Sequence, residues 1–318
     1  MKLNYISKTM VIKNKPETKK AKPKKAVTDK AKAIKKVAVV KTKVIKKTAV
    51  SGAKTKVVEK KASGKPRVAI ISLTSCEGCQ FVLLDLGTRF LALTEIIELV
   101  DFRLIEDWED DGGMLDLVLI EGNPVTKENE KTLLEARKRA KILVALGNCA
   151  AMGGIPEMKN YHEGVSTIKH VYKYLQGINN PAIRELDNFV KVDFVFPGCP
   201  INGEEFLQYI PELLKGNVPL IPDQPVCVEC KKAGNRCLLL DKKPCFGPMI
   251  LGGCNATCPS SRAQCQGCRG LRATGNVSAM RMMLKSMMSD EQFQNMTEIF
   301  GLRDDLEERE RKDKLAKR

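Results

Sequence analysis

The sequence predicts an α/β protein with a parallel sheet, preceded by a disordered basic arm and followed by a small irregular domain and C-terminal helices. Three observations support this prediction. Apolar runs alternate with helical patterns from residue 66 to residue 217, cysteine, glycine and proline then dominate, and lysine dominates the first 64 residues. Strands that alternate with helices form parallel sheets. The expected divisions are 1–64 for the arm, 66–217 for the sheet domain, 218–275 for the irregular domain and 276–318 for the C-terminal helices.

The N-terminal arm explains the basic charge of the chain. Residues 1–67 contain 23 Lys and Arg against 3 Asp and Glu, whereas residues 68–318 contain 31 against 35, a net of −4. The arm has almost no aromatic residues, so it cannot bury enough apolar surface to offset the entropy of ordering. We expect a solvated, disordered tail; binding to nucleic acid, an acidic partner or an anionic membrane face is the alternative.

The sheet domain is predicted from short apolar runs of the length expected for strands buried on both faces. These runs lie at residues 68–73, 115–120, 141–146 and 192–196, with a weaker candidate at 98–105. Helical patterns lie at residues 80–93, 127–140, 165–175 and 203–214. The alternation indicates a flavodoxin-like or doubly wound sheet, in which ligands bind at the carboxyl ends of the strands. The C-terminal residues 276–318 suggest two helices, the second strongly charged and exposed.

Four of the twelve cysteines follow these strands. Cys76 and Cys79 come after the first strand, Cys149 after the fourth and Cys199 after the fifth. Because loops at one edge of a sheet can converge, a Cys-x2-Cys pair with two distant cysteines suits an iron-sulfur cluster held by thiolates. Buried inert thiols, or a thioredoxin-like redox pair at Cys76 and Cys79, are the alternatives.

The other eight cysteines form two further groups of four. They are Cys227, Cys230, Cys237 and Cys245, then Cys254, Cys258, Cys265 and Cys268. Three groups of four match the needs of three cubane clusters with no cysteine left over. Zinc bound by four cysteines is the strongest competitor. With the lysine-rich arm, it would make the chain a zinc-binding, nucleic-acid-associated protein.

The expected location is the cytoplasm. The N-terminus has no apolar signal region and no twin-arginine pair, so export is not indicated. The uncharged stretch at residues 142–156 is too short to span a bilayer. In a reducing compartment, a cysteine-rich chain more often binds metal than forms disulfides.

Residues 66–285 resemble the small, electron-transferring subunit of nickel-iron hydrogenases, especially the soluble cytoplasmic groups. The matching segments occur in the order found in the family. They are Ser75-Cys76-Glu77-Gly78-Cys79, Glu121-Gly122, Gly147-Asn148-Cys149-Ala150, Pro197-Gly198-Cys199-Pro200, Cys245-Phe246-Gly247-Pro248 and Cys265-Gln266-Gly267-Cys268. A relative in respiratory complex I carries only the first set and typically has adjacent cysteines, so it fits less well.

The resemblance implies a role for every cysteine and no catalytic residue in this chain. The proximal 4Fe-4S cluster would be held by Cys76, Cys79, Cys149 and Cys199. The distal 4Fe-4S cluster would be held by Cys227, Cys230, Cys237 and Cys245. The medial 4Fe-4S cluster would be held by Cys254, Cys258, Cys265 and Cys268. The nickel-iron centre would belong to a partner large subunit, which converts one hydrogen molecule into two protons and two electrons.

Two departures from the membrane-bound members of the family indicate the kind of acceptor. Cys227 replaces a histidine ligand, and Cys258 replaces a usual proline. Clusters ligated only by cysteine imply low reduction potentials. A flavin- and NAD(P)-binding subunit, as in the soluble NAD(P)-linked or sulfur-reducing type, is therefore the first expectation. An iron-sulfur subunit linked to heterodisulfide reductase, as in the methyl-viologen-reducing type, is the second.

Overall fold

The structure is a computed structural model that describes residues 64–105, 111–162, 173–174 and 181–316. The predicted arm, apart from Gly64, and nearly all of the helix predicted at 165–175 lie outside the described residues. The described residues belong to one compact unit that begins at Lys60. The predicted boundaries at 217 and 275 stay predictions. No helix in the described ranges has the length and apolar character needed to cross a membrane.

Five parallel strands form the sheet. They are β1 (Arg67–Ser72), β2 (Glu98–Asp101), β3 (Leu115–Glu121), β4 (Ala140–Leu146) and β5 (Phe194–Phe196). Their order across the sheet is β2-β1-β3-β4-β5, and every neighbouring pair is parallel. This is the flavodoxin-like order. The predicted α/β fold class is confirmed.

The central strand β3 explains why the sheet is covered on both sides. Leu117 and Leu119 point into one apolar cluster, together with Phe206. Val118 and Ile120 point into a second cluster on the other face. Since successive side chains of a strand point to opposite faces, a continuous apolar run is what burial on both faces requires.

The helices of this part flank the sheet or follow its strands. They are α1 (Gly78–Asp85), α2 (Thr88–Ile96), α3 (Lys127–Arg139), α4 (Asn148–Met152) and α5 (Gly203–Leu214), with 3-10 turns at Ile155–Tyr161 and Leu186–Asn188. The single helix predicted at 80–93 is wrong, because Gly87 adopts a φ of +58° and separates α1 from α2. The weak strand predicted at 98–105 is shorter and ends at Asp101.

The remaining helices surround the cysteine-rich segment and form the C-terminus. They are α6 (Val226–Lys232), α7 (Thr257–Ser260), α8 (Val277–Leu284), α9 (Asp290–Glu298) and α10 (Leu302–Ala316). The prediction of two C-terminal helices is wrong, because this part contains three. Ser289 caps α9 through a capping box with Gln292, and Gly301 at φ +73° precedes α10. The last helix is not fully exposed, since Leu302 and Leu306 are buried.

A third apolar cluster joins the cysteine-rich segment to the C-terminal helices. Phe246 and Ile250 from the loops pack with Leu284 and Phe293 from α8 and α9. The Phe246 and Phe293 rings meet edge to face, with centroids 5.7 Å apart. The irregular segment therefore has an apolar core, although its sequence shows little periodicity, because the core residues come from loops and from distant helices.

Candidate metal centres

The first four cysteines lie together at the carboxyl ends of the strands. Cys76 and Cys79 follow β1, Cys149 lies in α4 after β4, and Cys199 follows β5. Burial raises the pKa of the Cys149 thiol to about 12, and the neighbouring Cys199 and Cys76 thiols add to the rise. Burial likewise raises the pKa of Cys79, and the neighbouring Glu121, Cys199 and Cys149 add to the rise. The fold therefore brings all four predicted residues of this set together.

Glu121, at the end of β3, fixes the start of α1. It is buried, and its carboxylate accepts the backbone N–H groups of Cys79 and Gln80, each at 3.1 Å. The Gln80 side-chain amide donates to the same carboxylate at 3.1 Å. Burial raises the pKa of Glu121, and these hydrogen bonds oppose the rise. Glu121 thus holds the first turn of α1, which carries Cys79, at the carboxyl end of β3.

A glycine next to this set leaves room for sulfur. Gly147 has a φ of +87°, and a Cβ added there would clash with the Cys79 sulfur. Both the backbone conformation and the close approach favour glycine at this position. The β4–α4 turn therefore wraps closely around the thiols.

The second set, which the sequence assigned to the distal position, surrounds one cavity. Cys227 and Cys230 lie on α6, Cys237 follows that helix, and Cys245 precedes Phe246; all four cysteines line the cavity. Burial raises the pKa of Cys227 to about 11, and the other three thiols add to the rise. A Cβ added to Gly247 would lie 3.3 Å from the Cys227 sulfur and 3.6 Å from the Cys245 sulfur.

The third set, assigned to the medial position, lies between the other two. Cys254, Cys258, Cys265 and Cys268 line a cavity of about 390 Å³ together with Cys199 of the first set. Burial raises the pKa of Cys268, and the backbone N–H of Cys199 opposes that rise by donating to its sulfur. On the other side, the backbone N–H of Cys265 donates to the Cys245 sulfur at 3.4 Å.

The first and second sets thus each contact the third. In space the order is Cys199, then Cys268 and Cys265, then Cys245, which differs from the order along the chain. None of the twelve cysteines forms a disulfide.

A buried ion pair that the sequence analysis missed joins the first and third sets. Arg269 donates to Glu205 at 2.7 and 2.9 Å, to the Pro197 carbonyl at 2.8 Å and to the Gly252 carbonyl at 2.9 Å. These contacts link the loop before Cys199 to the loop before Cys254. The sequence shows that Arg269 directly follows the last cysteine, Cys268. It does not show that Arg269 forms an ion pair with Glu205, which lies 64 positions earlier.

A second missed residue joins the second and third sets. Glu229 lies on α6 between Cys227 and Cys230, and its carboxylate accepts the backbone N–H of Gly253 at 2.5 Å and of Ala256 at 3.1 Å. The same carboxylate lies 3.9 Å from the Cys254 sulfur. The sequence feature that could have indicated this role is the position of Glu229 between the two cysteines of a Cys-x2-Cys pair.

The donor set suits a group that binds several thiolates spread around a cavity. Each set offers four free thiols. Within the described ranges, no three His, Cys, Asp or Glu side chains converge tightly enough to chelate a single metal ion. The second and third sets each line a cavity, and four thiols around a cavity fit the chemistry of an iron-sulfur cage.

Comparison with known proteins places this arrangement in a family. Residues 76–213 match the family described as "NADH ubiquinone oxidoreductase, 20 Kd subunit", a range that contains the first cysteine set and neither of the others. The chain is 35% identical to sulfhydrogenase 2 subunit delta of Pyrococcus furiosus, covering 74% of this chain and 99% of that protein. It is 32% identical to a vhu subunit of the F420-non-reducing hydrogenase of Methanocaldococcus jannaschii, covering 64% of this chain and 81% of that protein.

A solved structure is also similar. The crystal structure of an NAD+-reducing NiFe-hydrogenase in the H2-reduced state contains a chain with 34% sequence identity and a TM-score of 0.44, covering 50% of this chain and 96% of that one. Since the identity to the sulfhydrogenase subunit extends over almost its whole length, this chain belongs to the small-subunit family of nickel-iron hydrogenases.

Proposed function

We propose that this hydrogenase subunit relays electrons through three 4Fe-4S clusters, each held by four of its twelve cysteines. The clusters would connect the nickel-iron site of a large subunit with a low-potential acceptor. The observation that carries the proposal is the spatial order of the three sets, in which one set contacts both of the others. A linear arrangement of redox sites is what a relay between two partners requires.

The proposed ligands combine that order with the resemblance to the hydrogenase small subunits. Cys76, Cys79, Cys149 and Cys199 would hold the proximal cluster, Cys254, Cys258, Cys265 and Cys268 the medial cluster, and Cys227, Cys230, Cys237 and Cys245 the distal cluster. When bound, the clusters supply reversible one-electron oxidation and reduction. The assignment is supported by the cavities and by the mutual effects of the thiols on their pKa values.

Zinc is less well supported than clusters. The second and third sets each line a cavity, which suits a cage that binds four thiolates through four different irons. Family membership also favours clusters, and the nucleic-acid-associated alternative gains no support.

Residues next to the thiols would position the backbone, leave space for the cluster and donate hydrogen bonds to sulfur. Glu121 holds the backbone at Cys79, and Gly147 leaves space beside its sulfur. The N–H of Cys265 donates to the Cys245 sulfur, and such donors stabilise anionic sulfur and raise a cluster's reduction potential.

The proposed partners are a nickel-iron large subunit and at least one electron-accepting subunit. Relatives are named as subunits of a sulfhydrogenase, an F420-non-reducing hydrogenase and an NAD-reducing hydrogenase. We infer a flavin- and NAD(P)-binding acceptor subunit as first choice and a heterodisulfide-reductase-linked iron-sulfur subunit as second. Each turnover would divide one hydrogen molecule into two protons and two electrons, and the electrons would pass singly along the relay.

Metal analysis of anaerobically purified protein tests this function. We expect a brown protein with about twelve irons and twelve inorganic sulfides per chain. Single variants Cys79→Ser, Cys265→Ser and Cys245→Ser should each alter a different electron paramagnetic resonance signal. Zinc in place of iron, or two clusters in the wild-type chain, would contradict the proposal.

A further inference from the structure

A group of exposed cations lies around the second cysteine set. We call it the basic face; its members are Lys231, Lys232, Arg236, Lys242, Lys243 and Arg262. Residues 227–268 contain these six cations and only two acids, Glu229 and Asp241. The rest of residues 68–318 holds 25 basic and 33 acidic residues. The basic face is therefore a positively charged patch, whereas the rest of residues 68–318 carries a net negative charge.

Neither of the two acids cancels this charge in full. Glu229 is partly buried, and its carboxylate is occupied by the amides of Gly253 and Ala256. Asp241 pairs with Arg236 at 2.5 Å. The other cations keep their positive field, which is directed toward solvent because their side chains are exposed.

The basic face adjoins the cavity of the second set. Arg236, Lys243 and Arg262 line an open cleft of about 590 Å³. Leu238 and Pro259 line both that cleft and the cavity of the four cysteines. One layer of side chains thus separates three of the cations from the thiols. Lys231 and Lys232 occupy the last turn of α6, the helix that carries Cys227 and Cys230.

An apolar side chain lies within the same segment. Leu240 is 82% exposed and stands three residues after Cys237, which is itself exposed. A single exposed leucine needs no explanation. Here it stands among cations beside an exposed thiol of a redox site, and protein interfaces combine an apolar centre with a polar rim in this way.

Helix electrostatics explain only part of the basic face. Cations in the last turn of a helix are favoured by the carbonyl end of its dipole, which accounts for Lys231 and Lys232. Arg236, Lys242, Lys243 and Arg262 lie outside the helices of this segment. Arg236, Lys243 and Arg262 instead line the cleft that adjoins the cavity of the four cysteines, which needs a different reason.

We propose that the basic face is the docking surface for the acidic face of the protein that accepts electrons from the distal site. This proposal rests on the proposed relay function. Opposite charges on the two proteins speed their encounter and select the orientation, bringing the acceptor's redox centre next to Cys237. One electron then leaves the distal cluster, which is oxidised, and enters an acidic iron-sulfur or flavin protein, which is reduced.

The test uses the complex of this chain with its large subunit, prepared without the acceptor subunit so that the basic face is open, and an acidic ferredoxin as the probe. The triple variant Lys231→Glu, Lys232→Glu and Lys243→Glu reverses three charges on the basic face. The triple variant Lys127→Glu, Lys131→Glu and Lys138→Glu makes the same charge change on α3, where the three lysines are also exposed. Titration calorimetry measures binding, and hydrogen-dependent reduction of the ferredoxin measures transfer.

We expect the basic-face variant to bind the ferredoxin at least tenfold more weakly in 10 mM salt, and the α3 variant to stay within twofold of wild type. Wild-type binding should weaken as salt rises, since the screening length falls from about 30 Å at 0.01 M to about 10 Å at 0.1 M. The electron paramagnetic resonance spectra of the clusters and the reduction of methyl viologen should be retained in both variants.

Failure of this proposal and failure of the relay give different results. If the clusters are present and methyl viologen is reduced, but both variants bind the ferredoxin like wild type, the docking surface is refuted and the relay stands. If the wild-type complex lacks a distal cluster, the relay itself is refuted. If the basic-face variant instead loses affinity for pyrophosphate alone, the cleft binds phosphate groups and the docking proposal is overturned.

Discussion

Replacement of Arg269 by methionine should destabilise the protein strongly. Arg269 is 3% exposed and Glu205 is 8% exposed, and the substitution removes four hydrogen bonds of 2.7–2.9 Å. It also leaves the Glu205 carboxylate buried without its partner. Loss of one member of a buried ion pair costs about 3–5 kcal/mol. With an m value near 3 kcal/mol/M, the urea midpoint should fall by about 1–1.7 M.

A matched surface pair provides the control. Arg89 donates two hydrogen bonds to Glu204 at 2.7 and 2.9 Å, so its geometry matches that of Arg269 and Glu205, but both groups are exposed. We expect Arg89→Met to leave the urea midpoint unchanged, because exposed ion pairs contribute little. Unfolding followed by circular dichroism on the anaerobic protein measures both variants.

A double variant and a pH series test the reason for the loss. Arg269→Met with Glu205→Met removes both charges and should recover part of the lost stability. Burial already raises the pKa of Glu205, and Arg269 opposes that rise. A carboxyl with a raised folded pKa loses stability as the pH increases, so the defect of the single variant should shrink from pH 8 to pH 6. A midpoint change below about 0.3 M, or a double variant no more stable than Arg269→Met, would refute the reasoning.

Two further predictions concern single positions. Gly147→Ala should lower the iron content by about four per chain, because its Cβ would clash with the Cys79 sulfur, whereas Gly216→Ala, at a similar φ of +86° with open space around it, should keep all its iron. Glu157→Gln should flatten the pH dependence of thermal stability. Burial, then the nearby Asp304, Glu185 and Asp305, raise the pKa of Glu157 to about 8. The wild type should therefore lose up to about 1.4 kcal/mol of stability per pH unit between about pH 4.5 and 8. Equal slopes of melting temperature against pH in the two proteins would contradict this assignment.

Much of the sheet domain was predictable because its strands have a local signature. The run at β3 is apolar at nearly every position, and the structure buries alternate residues in two different clusters. The positions of α3 and α5 also agree with the helical patterns. The break at Gly87 was missed because glycine inside an amphipathic pattern does not show which φ the chain will adopt.

The grouping of the cysteines was predicted from the position of the first four after the strands and, for the other eight, from the resemblance to the hydrogenase small subunits. The contacts between the sets were not predictable in the same way. The N–H of Cys265 reaches the Cys245 sulfur across 20 residues, and Glu229 reaches the backbone of Gly253 across 24. Such contacts depend on how loops pack, and loops lack the periodicity that marks helices and strands.

The sequence by itself determined the α/β class, the edge of the sheet where the first thiols meet and the number of thiols in each set. These properties follow from local patterns of apolar residues, turns and cysteines. Only the tertiary structure placed one set between the other two, paired Arg269 with Glu205 and brought Arg262 to the cleft that Arg236 and Lys243 line. Those features arise from contacts between residues far apart in the chain, whose pairing is decided by which apolar faces pack together.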